Sequence, residues 1–278
     1  MATKKAASVA NKSAAKQTTT KVTTVKAVES RPAMQSPASS KRAVRFSLAR
    51  TPMVAALIAE FIGTFILTAT VIAGQGQPIL VFFALVGIVL AVGTISGGYV
   101  NPALVLGAWV TRRMNSMRAV GYIVAQILGA MLALVVLNAY VHAAPAASPT
   151  DTYNTATALF KAAALPEGKQ WFIFFSEFLG LVIFGFAVAG ATREKKDRTA
   201  AAFTIGLGAF LGLMIAGSGA AFLGANAILN PAVAIGLQAI SFGSVWPIAV
   251  YVVGGSLGAI IGFVLYDMLK SNDQEPTV

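Results

Sequence analysis

The sequence Tyr99-Val100-Asn101-Pro102-Ala103, which returns as Ile228-Leu229-Asn230-Pro231-Ala232, decides the fold of this chain. In both copies Asn-Pro-Ala stands at the head of a short apolar stretch, residues 101–110 and 230–240. Asn is a favoured helix N-cap, and Pro fits the first helical position because its missing N–H would lack a partner there. Each copy therefore predicts a helix that is too short to cross a membrane and is either re-entrant or interfacial.

Six longer apolar runs surround these motifs. They cover residues 53–73, 79–95, 117–141, 171–190, 200–217 and 246–269. At about 1.5 Å per residue, most of them reach the roughly 30 Å of a hydrocarbon core, and the second and fifth are near the short limit. Hydrophobic residues make up 56% of the chain and charged residues 11%, far from the roughly 45–50% and 25% of soluble domains. The sequence thus predicts an all-α integral membrane protein with six transmembrane helices.

The two halves of the apolar region repeat each other. Glu60-Phe-Ile-Gly63 returns as Glu177-Phe-Leu-Gly180, in addition to the repeated Asn-Pro-Ala. Each half, residues 53–142 and 171–270, has three spans and one short helix, so the second half must lie inverted relative to the first. Inverted repeats place a functional site at the bilayer midplane, where the two halves meet.

Stripes of small residues in the third and sixth spans predict close helix contacts. Small side chains let two backbones approach each other, which stabilises helix packing in lipid. The small residues that recur at every fourth position are Ala125, Gly129 and Ala133 in the third span, and Gly254, Gly258 and Gly262 in the sixth.

Asn101 and Asn230 predict a site for neutral solutes. Two helix N-termini that enter from opposite faces meet near the membrane centre, and each contributes a positive dipole potential and a side-chain amide that donates hydrogen bonds. Such a site accepts the oxygen atom of a neutral solute and repels cations, including the proton. The sequence has one His and no Cys, and it offers no catalytic set. We therefore expect no enzyme and no metal site.

Glu60 and Glu177 are the acidic residues well inside the predicted spans. A carboxylate within a membrane is expected to face the protein interior and to hold partners. One interpretation is a proton relay. The other, which we favour, is that both carboxylates are structural and accept hydrogen bonds from backbone N–H groups of the re-entrant loops, which lack helical partners.

Basic residues orient the chain. Residues 1–52 contain 11 of the 21 Lys and Arg residues, and most of the others lie in or beside the loops that follow the second, fourth and sixth spans. The positive-inside rule then puts both termini in the cytoplasm. Residues 1–52 predict a disordered basic tail held against anionic membrane lipids. A transit peptide is one alternative. Contact with nucleic acid is another, which we do not favour. Residues 271–278 are predicted to be a short C-terminal tail.

The motifs together resemble the aquaporin family, also called the major intrinsic proteins, over residues 53–270. The matching stretches are the two Asn-Pro-Ala motifs, the two Glu-Phe-x-Gly motifs and Tyr122-Ile-Val-Ala-Gln-Ile-Leu-Gly-Ala130. The resemblance implies six tilted helices and two half-helices around a pore in each subunit of a homotetramer. It also implies passive movement of water or small neutral solutes such as glycerol, without a cofactor.

One position departs from the family pattern. The family usually has Arg directly after the second Asn-Pro-Ala, where this chain has Val233. The resemblance places two further selectivity-filter residues at Val81 and Ala227, and a fourth within residues 213–218. An Arg narrows such a pore and donates several hydrogen bonds, whereas Val does neither. We therefore expect a wider and more apolar constriction, suited to glycerol, urea or ammonia.

The sequence leaves two other functions open. Secondary transporters also contain inverted repeats and broken helices, although no charge pair for coupling is evident apart from Glu60 and Glu177. A non-conducting membrane scaffold protein would keep the fold and lose the selectivity, which would agree with the missing Arg.

Overall fold

The computed structural model describes residues 52–144, 158–194, 196–241 and 243–271. The two predicted tails, residues 1–52 and 271–278, therefore lie outside the described residues except at their inner ends. The described residues contain no β-strand. Their helices, in chain order, are α1 (Pro52–Ala73), α2 (Pro78–Val92), α3 (Pro102–Val110), α4 (Ser116–Ala143), α5 (Gln170–Ala191), α6 (Arg198–Ala221), α7 (Pro231–Gly236), α8 (Trp246–Ile248) and α9 (Gly255–Ser271), with a π-helical segment, Ala249–Gly254, between the last two.

Within the described residues, five helical stretches are long and apolar enough to cross a membrane, namely α1, α4, α5, α6 and the continuous run Trp246–Lys270. The helix α2 has 15 residues and is about 22 Å long at roughly 1.5 Å per residue. The predicted range 79–95 is too long at its C-terminal end because the chain leaves the helix at Gly93. It then turns at Ser96, whose Oγ accepts a hydrogen bond from the Gly98 N–H at 3.0 Å.

The helices α6 and α7 differ in length from the predicted ranges. The helix α6 begins early because the Asp197 side chain caps it, accepting a hydrogen bond from the Ala200 N–H at 2.9 Å, and it continues to Ala221. The helix α7 has only six residues. It ends before residue 240 because Gln238 adopts a left-handed backbone (φ 56°), which stops a helix. The helix α3, by contrast, fills the predicted range 101–110 behind its N-cap.

The helices pack in equivalent pairs in the two halves. The helix α1 packs against α4 and contacts α2, as α5 packs against α9 and contacts α6. The short helices cross between the halves, since α3 packs mainly against α9 and α7 mainly against α4. The two short helices also contact each other. Each half therefore supplies one short helix to the packing of the other, and the two Asn-Pro-Ala motifs come together.

The predicted small-residue contacts are confirmed at two equivalent glycines. A Cβ atom added to Gly129 of α4 would fall inside contact distance of the Phe61 carbonyl oxygen on α1. A Cβ atom added to Gly258 of α9 would meet the Phe178 carbonyl oxygen on α5 in the same way. At both places a helix backbone lies directly against the backbone of its neighbour.

We expect Gly129→Ala and Gly258→Ala to lower the unfolding temperature of the purified protein in detergent. Each added methyl group forces two packed helices apart, and overpacking of this kind costs about 1–3 kcal/mol. Gly87→Ala and Gly217→Ala are matched controls, because no atom of the described residues lies within 4 Å of a Cβ at either helical glycine. Ala is favoured over Gly in a helix by roughly 0.5–1 kcal/mol, so the controls should be no less stable than the wild type. Equal unfolding temperatures for the two pairs would contradict the close packing.

Candidate functional site

Asn101 and Asn230 each cap a short helix. Both have an extended backbone with φ −155°. The Oδ1 atom of Asn101 accepts a hydrogen bond from the Ala103 N–H at 3.0 Å. The Oδ1 atom of Asn230 accepts hydrogen bonds from the N–H groups of Ala232 at 3.0 Å and Val233 at 3.3 Å. The proline after each Asn fills the first helical position, where no N–H is needed. The same local chemistry thus builds both helix ends.

The side-chain amides join the two motifs to each other. The Asn101 Nδ2 donates a hydrogen bond to the Leu229 carbonyl oxygen at 2.8 Å, and the Asn230 Nδ2 donates one to the Val100 carbonyl oxygen at 2.9 Å. Each acceptor is the residue directly before the opposite Asn. An amide nitrogen carries two N–H groups, so each Asn keeps one that this bond does not use.

The residue before each Asn has a left-handed backbone. The φ angle is 40° at Val100 and 56° at Leu229. Residues other than Gly rarely adopt this region, and β-branched residues such as Val are genuine outliers there. Strain of this kind persists only where surrounding contacts over-determine it. Two buried carboxylates supply such contacts.

Glu60 of α1 binds the loop that carries the first motif. Its side chain is fully buried. Its Oε1 accepts a hydrogen bond from the Tyr99 N–H at 3.0 Å, and its Oε2 accepts one from the Val100 N–H at 2.7 Å. The Gln126 Nε2 of α4 donates a third hydrogen bond to Oε2 at 2.7 Å. The carboxylate therefore ties α1 and α4 to the strained turn before Asn101.

Glu177 of α5 makes the equivalent contacts in the second half. It is also fully buried, and it accepts hydrogen bonds from the Ile228 N–H at 2.6 Å and the Leu229 N–H at 2.9 Å. The residue equivalent to Gln126 is Gly255, which has no side chain to donate a third bond. The two carboxylates therefore hold equivalent turns with unequal sets of donors.

The glycine of each Glu-Phe-x-Gly motif contacts the same turn. A Cβ atom on Gly63 would lie 2.6 Å from the Val100 Cγ1, and one on Gly180 would lie 2.6 Å from the Leu229 Cδ2. The carboxylate binds the backbone of the turn, and the glycine three residues later leaves room for its side chain. This contact explains why Glu and Gly are three residues apart in the motif. Sequence reasoning missed it because nothing in the motif indicates which residues it contacts.

A cavity of about 70 Å³ opens beside the two Asn residues, both of which line it. One water molecule needs roughly 10–15 Å³ of such volume, so the cavity has room for several. Val81, Ala227 and Val233 line the same cavity. The structure thus brings the three sequence-predicted filter positions together around one cavity with the Asn-Pro-Ala ends.

The cavity has further lining residues, of which three bear on the sequence predictions. Within the predicted range 213–218, which the structure describes in full, Leu213 of α6 is the residue that lines it. Phe160 and Asn226 also line it, and sequence reasoning missed both. Asn226 adjoins the predicted filter position Ala227, and this adjacency could have pointed to it. Phe160 lies in the loop before α5, where neither a repeat nor a periodic pattern marks a residue.

Residues 47–266 match the sequence model of the family described as Major intrinsic protein. The chain belongs to the major intrinsic protein family. Among its relatives in this family, Glycerol uptake facilitator protein-like 6 of Lactiplantibacillus plantarum is 29% identical over 227 residues, covering 78% of this chain and 98% of that protein. Nodulin-26 of Glycine max is 27% identical over 242 residues, covering 82% of each chain.

A solved structure, that of the aquaglyceroporin from Plasmodium falciparum, superimposes with a TM-score of 0.60 at 19% identity, covering 79% of this chain and 98% of that one. This likeness confirms the predicted fold class, an all-α membrane protein with an aquaporin-like arrangement of helices. Major intrinsic proteins are passive channels and not enzymes. The chain is therefore an integral multi-pass membrane protein that forms a channel for water or small solutes.

Proposed function

We propose that this major intrinsic protein is a passive channel whose solutes include glycerol, urea or ammonia as well as water. The observation that carries the proposal is that Val81, Leu213, Ala227 and Val233, which are all apolar, line one cavity. Val233 is 2% exposed, and it occupies the position that the family usually gives to Arg. The filter therefore offers no charged donor at this point.

An apolar filter favours solutes with carbon surface. A small ion that enters it loses its hydration without compensation, which costs far more than the transfer of a neutral solute. A polyol can place its CH groups against Val and Leu side chains while its hydroxyl groups bond to neighbouring solute or water. The glycerol uptake facilitator-like relative from Lactiplantibacillus plantarum and the Plasmodium falciparum aquaglyceroporin are both named for glycerol, which agrees with glycerol as one of the solutes.

We assign cation and proton exclusion to the paired Asn-Pro-Ala motifs. The unused N–H of Asn101 and of Asn230 can donate to the oxygen atom of a passing solute, which fixes the orientation of that oxygen. The N-terminus of α3 adds a positive potential that repels cations. Because α7 has six residues, its dipole contributes less than the sequence suggested.

We assign a structural role to Glu60 and Glu177. Both carboxylates accept hydrogen bonds from backbone N–H groups of the turns that carry the motifs. A carboxylate occupied by such donors holds the turn in place, and its charge is stabilised by them. A proton relay would need a chain of exchangeable partners, whereas most of these donors are backbone amides.

The assembly and orientation of the chain form part of the same proposal. Residues 53–270 are the channel domain of one subunit in a homotetramer, with repeats at residues 53–142 and 171–270. Both termini lie in the cytoplasm because basic residues concentrate on that side. The basic tail of residues 1–52 and the short tail of residues 271–278 then lie on the cytoplasmic side, where anionic lipids attract the first of them.

Osmotic swelling of proteoliposomes tests the proposed function. We expect water, glycerol and urea to enter faster than into empty liposomes, and at the same rate with and without a proton gradient, because passive flux depends only on the solute gradient. Flux that a proton gradient accelerates would identify a secondary transporter. Permeability equal to that of empty liposomes, with correctly folded protein present, would favour a scaffold protein.

A further inference from the structure

The loop before α5 reaches into the cavity. Its described part, residues 158–169, carries Phe160, which lines the cavity together with Gly76 and Asn226. The Phe160 ring lies close to Gly76, where an added Cβ atom would be 3.2 Å from Cε1 and 3.3 Å from Cζ. Gly76 has a φ of 72°, so a glycine both forms this turn and leaves space for the ring.

Phe160 lies far from the Asn-Pro-Ala motifs along the path of α1. Glu60 contacts the turn before Asn101, and α1 continues from Glu60 to Ala73. At roughly 1.5 Å per residue this part of the helix is about 20 Å long. Gly76 follows the end of α1, so Phe160 lies at the end of the cavity remote from Glu60. We call this end, lined by Gly76, Phe160 and Asn226, the mouth.

Two hydrogen bonds pin the loop directly after Phe160. The Ala162 N–H donates to the Leu237 carbonyl oxygen at 3.1 Å. The Ala163 N–H donates to the Asn226 Oδ1 at 2.7 Å. Asn226 and Leu237 flank the second Asn-Pro-Ala motif in the sequence, and both line the cavity. The loop is therefore fixed to the segment that carries Asn230.

The ring is the large rigid group at the mouth. The proposed filter positions hold aliphatic residues of small or moderate size, namely Val81, Leu213, Ala227 and Val233. An aromatic ring has two side-chain torsions and a fixed outline, and here backbone contacts restrict it on the side of Gly76. The other phenylalanine that lines the cavity, Phe184, belongs to the membrane helix α5, so Phe160 is the aromatic lining residue that the loop supplies at the mouth.

We propose that Phe160, carried by a loop and not by a membrane helix, is the residue that sets the solute size limit at the mouth, and that Asn226 positions it. The inference rests on the proposed function and deepens it. The solutes that Phe160 separates are neutral polyols that differ in length by one CHOH unit, such as glycerol and erythritol.

Polyol uptake by proteoliposomes tests the size limit. We expect Phe160→Ala to raise the ratio of erythritol to glycerol permeability about tenfold, the lower range of discrimination that one added carbon unit produces at a fitted site. Water permeability should not fall, which shows that the variant is folded. Phe172→Ala is the matched control, because Phe172 is 64% exposed and does not line the cavity. A ratio in Phe160→Ala equal to that of the wild type and of Phe172→Ala would overturn the proposal.

Two substitutions of Asn226 separate positioning from direct contact with the solute. Asn226→Ala removes the acceptor for the Ala163 N–H, so the erythritol ratio should rise as it does in Phe160→Ala. Asn226→Asp keeps an acceptor oxygen, loses the N–H donor and adds a negative charge. Because both polyols are neutral, their permeability ratio should return to the wild-type value. A ratio in Asn226→Asp as high as that in Asn226→Ala would overturn the positioning role.

The wild-type measurement distinguishes failure of this inference from failure of the proposed function. A wild-type protein that passes water but no polyol would show that the proposed solutes are wrong. In that case, glycerol flux that appears in Phe160→Ala and not in Phe172→Ala would support the size limit. Absence of polyol flux in both variants would overturn it.

Discussion

Val233→Arg is expected to lower glycerol permeability about tenfold or more, while water permeability is retained. Val233 lines the cavity with Val81, Ala227 and Leu213. An Arg side chain at this position would occupy part of a cavity of only about 70 Å³ and would point several N–H donors into it. Water is small enough to pass and can exchange hydrogen bonds with the guanidinium. Glycerol needs the carbon-lined width that the substitution removes.

Val233→Leu is the control for bulk. It adds a methylene without a charge or a donor, so glycerol permeability should fall by less than in Val233→Arg. The measurement is osmotic swelling of proteoliposomes that contain equal amounts of each variant, with water permeability from shrinkage in an impermeant solute. Glycerol permeability that is the same in Val233→Arg and in the wild type would contradict the assignment of Val233 to the filter.

The repeated short motifs made much of this site predictable from sequence. The short helices at Asn101 and Asn230 are predictable from two adjacent residues, because the Asn caps the helix and the following Pro begins it. Their matched positions in two halves also implied that they meet. Glu60 and Glu177 were identifiable because a buried carboxylate in an apolar span requires donors. In each case the signal lay within one segment or in its repeat.

The remaining features depend on contacts between segments that have no sequence relation. Phe160 lines the cavity because Ala162 and Ala163 bind residues on either side of the second motif, and no periodicity marks such a loop. The six-residue length of α7 follows from the left-handed backbone of Gln238, a residue type that is common inside helices. The helix α6, by contrast, is longer than predicted, because it continues through Gly217 to Ala221. Glycine is a weak helix former, but the packing of a helix can outweigh this local preference.

Glu177→Gln is expected to destabilise the protein more than Glu60→Gln does. A Gln side chain replaces one acceptor oxygen by an NH₂ group. The backbone N–H that donated to that oxygen then has no acceptor. A buried donor left unpaired costs about 1–3 kcal/mol. One backbone N–H loses its acceptor in both variants, so the difference lies in the new NH₂ group. At Glu60 this NH₂ has a partner if the Gln126 amide turns over, because the Gln126 Oε1 is buried without a hydrogen-bond partner among the described residues and Gln126 already contacts this carboxylate.

At Glu177 this amide partner is missing among the described residues, because the residue equivalent to Gln126 is Gly255, which has no side chain. The unfolding temperature in detergent and the fraction of monodisperse protein measure the difference, and Glu167→Gln, at an exposed acid of the loop before α5, is the matched control. Solute flux through whichever variant folds should not depend on a proton gradient, since a carboxylate that holds backbone donors carries no proton across. A proton flux that accompanies solute in the wild type and is lost in either variant would contradict the structural role and would identify the carboxylates as a proton relay.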